Sequence, residues 1–184
     1  MAKQVVMGFC HVANFVRARY GGEAWQRVLA ALPEDAAREI GAASAVAWYD
    51  LALYVDLLHK VVDLCAGGDR SVLDDLERYE LKQDLNIFVK IIMRALTPRR
   101  CLESVTKLWN RVHDSGRWEV AMPGPKEITG ILYDWGCVDA FLCLELRAYI
   151  ARLLECTGVK DVVVFHNVCR ASGANACEFV GRWH

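Results

Sequence analysis

The chain has 184 residues, 54% of them hydrophobic and 24% charged. That is apolar enough for one domain with a core and too apolar for a disordered chain. Lys+Arg number 22 against Asp+Glu 23, which excludes a general electrostatic pull toward nucleic acid or anionic membrane. Charged residues interrupt every apolar run before it reaches bilayer thickness, and the opening lacks the order of a secretory leader. A cytoplasmic protein is expected, its eight cysteines largely reduced.

The first two thirds read as helices. Residues 5 to 20 (VVMGFCHVANFVRARY) place Val6, Cys10, Ala13 and Val16 on one stripe, and Gly21-Gly22 turns the chain. Glu23 to Leu32 is a second helix. Pro33 opens a third, PEDAAREI, with acids in its first turn. Ala47 to Cys65 is long and apolar and closes at AGGD. Ser71 to Ala95 is helical with a break near Glu80. Thr97 caps and Pro98 starts the next helix, which runs to DSG. After Gly116 the pattern changes. Trp118 to Met122 and Glu127 to Tyr133 read as strands, Cys137 to Cys156 as a helix, and KDVVVFHNVCR and CEFVGRW as strands about an ASGANA turn. The expected fold is α+β in a single domain. A helical portion over 1–114 precedes a β-β-α-β-β antiparallel unit over 115–184, with the helix across one face of the sheet.

HNVCRASGANAC, residues 166 to 177, gathers a histidine and two cysteines about a glycine turn. A closed zinc site needs four such donors, held tetrahedrally. Cys169 and Cys177 can meet across a hairpin. His166 and Cys169 have opposite parity on a regular strand, so a bulge or an early strand end near Asn167 is required. A fourth donor would come from Cys143 or Cys156 on the preceding helix. They lie roughly 20 Å apart along its axis, so only one can join. Spacing does not choose between them, and buried thiols beside a surface histidine account for the same residues.

The C-terminal segment from about 115 to 183 resembles the 4-vinyl reductase domain, a small-molecule-binding module related in fold to subunits of the TRAPP vesicle-tethering complex. Cys169, Gly173 and Cys177 match that family's closing motif. The resemblance implies zinc on the two cysteines, on an upstream cysteine that falls on Cys143, and on the position of His166, where the family has an acid. It also implies that Tyr133, Trp135 and Phe141 border a pocket for an apolar or aromatic ligand. Trp118 joins them as a pocket residue by its place at the start of a strand. For all four aromatics the alternative is plain core packing. The N-terminal part, GFCHVANFVRARYGGEAWQRVLAALP with the later WYD, resembles myxobacterial proteins without an assigned activity. The opening is also distantly similar to haem-based nitric-oxide sensors. Under that likeness His59 and His113 are the axial-ligand positions, but no Tyr-x-Ser-x-Arg motif follows.

DDLERYELKQD, residues 74 to 84, reads as a solvated acidic helix face. No phosphate loop, dinucleotide fingerprint or GxSxG is present, and no Cys–His pair is fixed for nucleophilic attack. The expected function is a sensory or signalling domain that binds a small molecule, is held by a structural zinc, and acts through protein contacts, most simply as a homodimer. A scaffold without ligand, or a zinc- or tetrapyrrole-related enzyme, is the alternative. No catalytic residue is assigned, and neither nucleic acid nor membrane insertion is expected.

Overall fold

The computed structural model describes residues 2–5, 8–43, 47–84 and 93–184. The order is β1 (Lys3–Val5), α1 (Gly8–Tyr20), α2 (Gly22–Ala30), α3 (Glu34–Gly41), β2 (Trp48–Asp50), α4 (Leu51–Ala66), α5 (Val72–Asp84), α6 (Pro98–Val112), β3 (Arg117–Gly124), β4 (Glu127–Tyr133), α7 (Ala140–Cys156), β5 (Val163–Val168) and β6 (Ala176–Arg182). Among the described residues, no helix is long and apolar enough to cross a membrane.

Side-chain caps set three of the helix starts. Asp50 accepts from the Ala52 amide at 3.0 Å and starts α4, which ends at Gly67 in the left-handed region (φ 59°). Thr97 accepts from the Arg100 amide at 3.3 Å ahead of Pro98, as expected for α6. Asp139 accepts from the amides of Phe141 (2.7 Å) and Leu142 (3.4 Å), so α7 begins at Ala140 rather than at Cys137. α5 runs through Glu80 to Asp84 without the expected break, and 85–92 lie outside the described residues.

The sheet is antiparallel in the order β3-β4-β6-β5, and α7 packs across it. Leu154, fully buried, lies where a Cβ on Gly181 of β6 would stand only 2.8 Å from its Cδ1. Glycine there lets the helix approach the strand closely. The other layer is helical. Phe9, Val12 and Val16 of α1, Trp25 and Val28 of α2, Leu57, Leu58 and Val61 of α4, and Leu73 and Leu76 of α5 are all buried. Each such aliphatic side chain contributes about 1.5–3 kcal/mol relative to exposure. Arg147 of α7 meets Asp74 of α5 at 2.9 Å and joins the layers.

Two short strands take Val5 and Trp48–Asp50 out of expected helix. Lys3–Val5 pairs antiparallel with Trp48–Asp50, and Gln4 bridges to His113 at the end of α6. Lys3 also donates its backbone N–H to Asp114 Oδ1 at 2.8 Å. Three residues carry no periodicity of their own, so this ribbon is held by its partners and not by local propensity.

Candidate metal cluster and adjoining cavity

The capping of α7 by Asp139 places Cys143 one turn into the helix, facing the sheet and buried. β6 presents Cys177 opposite Leu132 of β4. Between β5 and β6 the chain makes a single 3-10 turn, Arg170–Ser172, and closes on Gly173 at φ 91°. That turn brings Cys169 back over Cys177. The β5–β6 register shifts between His166 and Val168, which is the bulge the parity argument requires. His166 and Cys169 therefore reach the same place.

The donor atoms of Cys143, His166, Cys169 and Cys177 all lie within 4.8 Å of one another. Cys143 Sγ is 3.7 Å from both Cys177 Sγ and Cys169 Sγ. Arg170 donates its backbone N–H to Cys177 Sγ at 3.4 Å. The His166 ring is stacked on Phe179, with 4.6 Å between centroids and 8° between planes. The Cys143 thiol hydrogen-bonded to Cys177 holds Cys177 well below the ordinary thiol range. His166 and the Arg170 amide add to that effect against the cost of burial. Cys143 is pushed up by the same contact and by burial. The group is thus a Cys/His cluster able to hold a cation. Cys156, at the far end of α7, is not part of it.

Next to the cluster, on the same face of the sheet, lies a cavity of about 430 Å³ between the helical layer and the sheet, lined by Leu146 and Ile150 of α7 and by Phe179 and Gly181 of β6. Trp109 of α6, Trp118 of β3 and Trp135 form one aromatic wall, with Trp109 centroids 5.6 Å from Trp118 and 5.4 Å from Trp135. Trp118 lies over Gly130, whose missing side chain makes room for the indole. His113 is stacked on Trp109, 3.6 Å between centroids, and its Nδ1 is buried without a hydrogen-bond partner. The remaining polar lining is Glu77 and Glu80 of α5 and Glu145 of α7, with Tyr54, His11, Tyr149, Gln4 and Thr106. Glu77 is 4% and Glu145 8% exposed. Tyr54 donates to Glu145 Oε1, and His11 Nδ1 lies 3.7 Å from Glu80. Burial, then the Glu80 charge, pushes the Glu145 carboxyl well above the carboxylate range.

Two of the four expected pocket aromatics, Trp118 and Trp135, line this cavity. The other two do not. Tyr133 points to the opposite face, its hydroxyl 3.4 Å from Glu119 and Arg117 over its ring. Phe141 stacks on His59 at 3.9 Å, beneath Arg70. His59 is itself held by Asp139 at 3.1 Å, away from the cavity, whereas His113 lines it. The solvated reading of 74–84 is corrected. Glu77 and Glu80, three apart, share the inward face of α5 with Leu73 and Leu76. The one sequence signal for the acidic end was Glu145, a lone carboxylate within the apolar run FLCLELRAYI.

No protein-family model matches the chain, and no curated protein does. Solved structures do. The Fe(II) unliganded H-NOX protein from K. algicida matches with a TM-score of 0.69 at 11% identity, over 96% of this chain and 94% of that one. The S. oneidensis H-NOX protein in the Fe(II)NO ligation state matches at 0.63 and 12%, over 96% and 97%. A structure described as probing haem distortion in the H-NOX family matches at 0.60 and 12%, over 94% and 91%. The fold is of the H-NOX type along nearly the whole chain. It is not that of the 4-vinyl reductase domain or of TRAPP subunits, and that expectation is corrected. Its motif, Cys169-Gly173-Cys177, is a local device whose spacing is set by what two thiols about a tight turn must do. Such a motif carries little information about the layers around it.

Proposed function

We propose that this protein is a sensory module in which one zinc ion clamps the C-terminal hairpin to α7 while the adjoining cavity, lined by that helix and the sheet, binds a small molecule. The observation that carries the reading is the convergence within 4.8 Å of four donor atoms, one from α7 and three from the β5–β6 hairpin, beside a cavity lined by the same helix and strand. Zinc–sulfur bonds of about 2.3 Å at tetrahedral angles put sulfurs about 3.8 Å apart. The two Cys143 separations of 3.7 Å fit that value. Three thiolates and an imidazole suit zinc better than harder cations. With all four positions taken by protein, the ion's role is structural, and it links β5, β6 and α7. Signal then leaves by protein contact, with a second copy of the chain as the simplest partner.

The fold raises haem as a candidate occupant, and the residues present do not fit it. A haem brings two propionates, and no Lys or Arg lines the cavity among the described residues, while three glutamates do. Trp109, Trp118 and Trp135 crowd one side of it. His59 faces elsewhere, and His113 lies flat against Trp109. No haem chemistry is assigned to this chain.

The test is elemental analysis of protein purified under reducing conditions, before and after Cys169→Ser and Cys177→Ser. One zinc per chain in the parent, lost in both variants together with several degrees of melting temperature, is the expected result. A metal-free parent that melts like the variants overturns the reading.

A further inference from the structure

We propose that the cavity selects an uncharged, apolar guest with a flat aromatic body of about two to three fused rings. The inference rests on the reading that the cavity binds a small molecule, and it names the class. The polar groups around the cavity are engaged with one another. Tyr54 donates to Glu145, Glu145 and Glu77 are hydrogen-bonded to each other, and His11 Nδ1 lies 3.7 Å from Glu80. Trp109 donates its Nε1–H to the Ser115 carbonyl at 2.8 Å, so its indole has a carbon surface left to offer. A charged guest would lose its water and find no fresh partner, which is costly. An ammonium would meet carboxyls whose existing bonds it must break. A carboxylate would meet no Lys or Arg among the described lining residues, and burial keeps His113 neutral by pushing its pKa down to about 4.

The rest of the lining is largely hydrocarbon. α7 contributes Leu142, Leu146 and Ile150, and the sheet contributes Val120, Ile128 and Phe179. With the indoles of Trp109, Trp118 and Trp135 on one side, an aromatic ring gains more than an aliphatic body of equal area, because it can pack on them face or edge. Size follows from volume. An apolar cavity of about 150 Å³ takes up benzene. The 430 Å³ here holds a guest larger than one ring. The way in lies along α6, where Leu108 and Val112 line the cavity and are also 49% and 38% exposed.

The experiment is calorimetric titration of the purified full chain at neutral pH with three probes substituted at one ring position: naphthylmethanol, protonated naphthylmethylamine and naphthoate. The alcohol should bind at least about tenfold more tightly than either ion, since only the ions give up a charge's hydration. Leu108→Trp, at a half-exposed position on the mouth, should weaken the alcohol by about the same factor. If that variant fails to fold, Val112→Trp takes its place. Unchanged affinity in a folded mouth variant puts the binding elsewhere and overturns the inference. A charged probe that binds as tightly as the alcohol overturns the uncharged class and leaves the cavity reading standing. Binding of none of the three overturns both, and leaves the zinc clamp to be judged by its own metal analysis.

Discussion

The imidazole of His113 lies against Trp109 with its Nδ1 buried, and burial pushes its pKa down to about 4. An unfolded histidine titrates near 6.5. Between these values the unfolded chain binds more protons than the folded one, so stability is full above about pH 6.5 and falls as pH drops toward 4. The loss attributable to this residue is about 3 kcal/mol at most. Thermal melts at pH 7 and pH 5 should show a larger drop for the parent than for His113→Phe; equal drops would sink the assignment. At this scale the sequence was informative about ligand types and less so about setting. His166, Cys169 and Cys177 stand out because three strong donors crowd a twelve-residue hairpin. Glu77 and Glu80 do not, because acids three apart on a helix look the same whether they face water or a cavity. Only the partner elements decide.

α7 is the element on which both sites depend, and Asp139 fixes where it starts. Its carboxylate accepts from Phe141 and Leu142 and also meets His59 at 3.1 Å. Asp139→Ala should cost about 1 kcal/mol of stability and loosen the first turn, which carries Cys143. Zinc retention measured against a chelator should weaken in that variant even though no donor is removed. Unchanged retention would separate the cap from the cluster. The strands of the second half were readable from their β-branched runs and turn residues, and β4 was placed at its observed limits, Glu127–Tyr133. β1 and β2 were not, because three-residue strands are defined by the pairing Lys3–Asp50, Gln4–Tyr49 and Val5–Trp48 across some forty-five residues of chain.

Over the whole molecule, α7 packs against both the helical layer and the sheet, while the cluster ties together only β5, β6 and the first turn of α7. Removal of the ion should therefore act unevenly. Hydrogen exchange after chelation should speed up in β5, β6 and the first turn of α7, while α1 and α4, buried among themselves, keep their protection. Uniform acceleration would mean that the metal supports the entire fold. The layer arrangement itself was not legible from the hairpin motif, since the same few thiols about a turn serve different topologies. It became visible only when the helical first half was placed against the sheet. That placement also distributes the chain's six tryptophans unequally. Trp109, Trp118 and Trp135 face the cavity, while Trp25, Trp48 and Trp183 do not line it. The protein thus carries an optical gauge of its own interior: a guest that enters changes the surroundings of half the indole chromophores and leaves the other half as an internal reference.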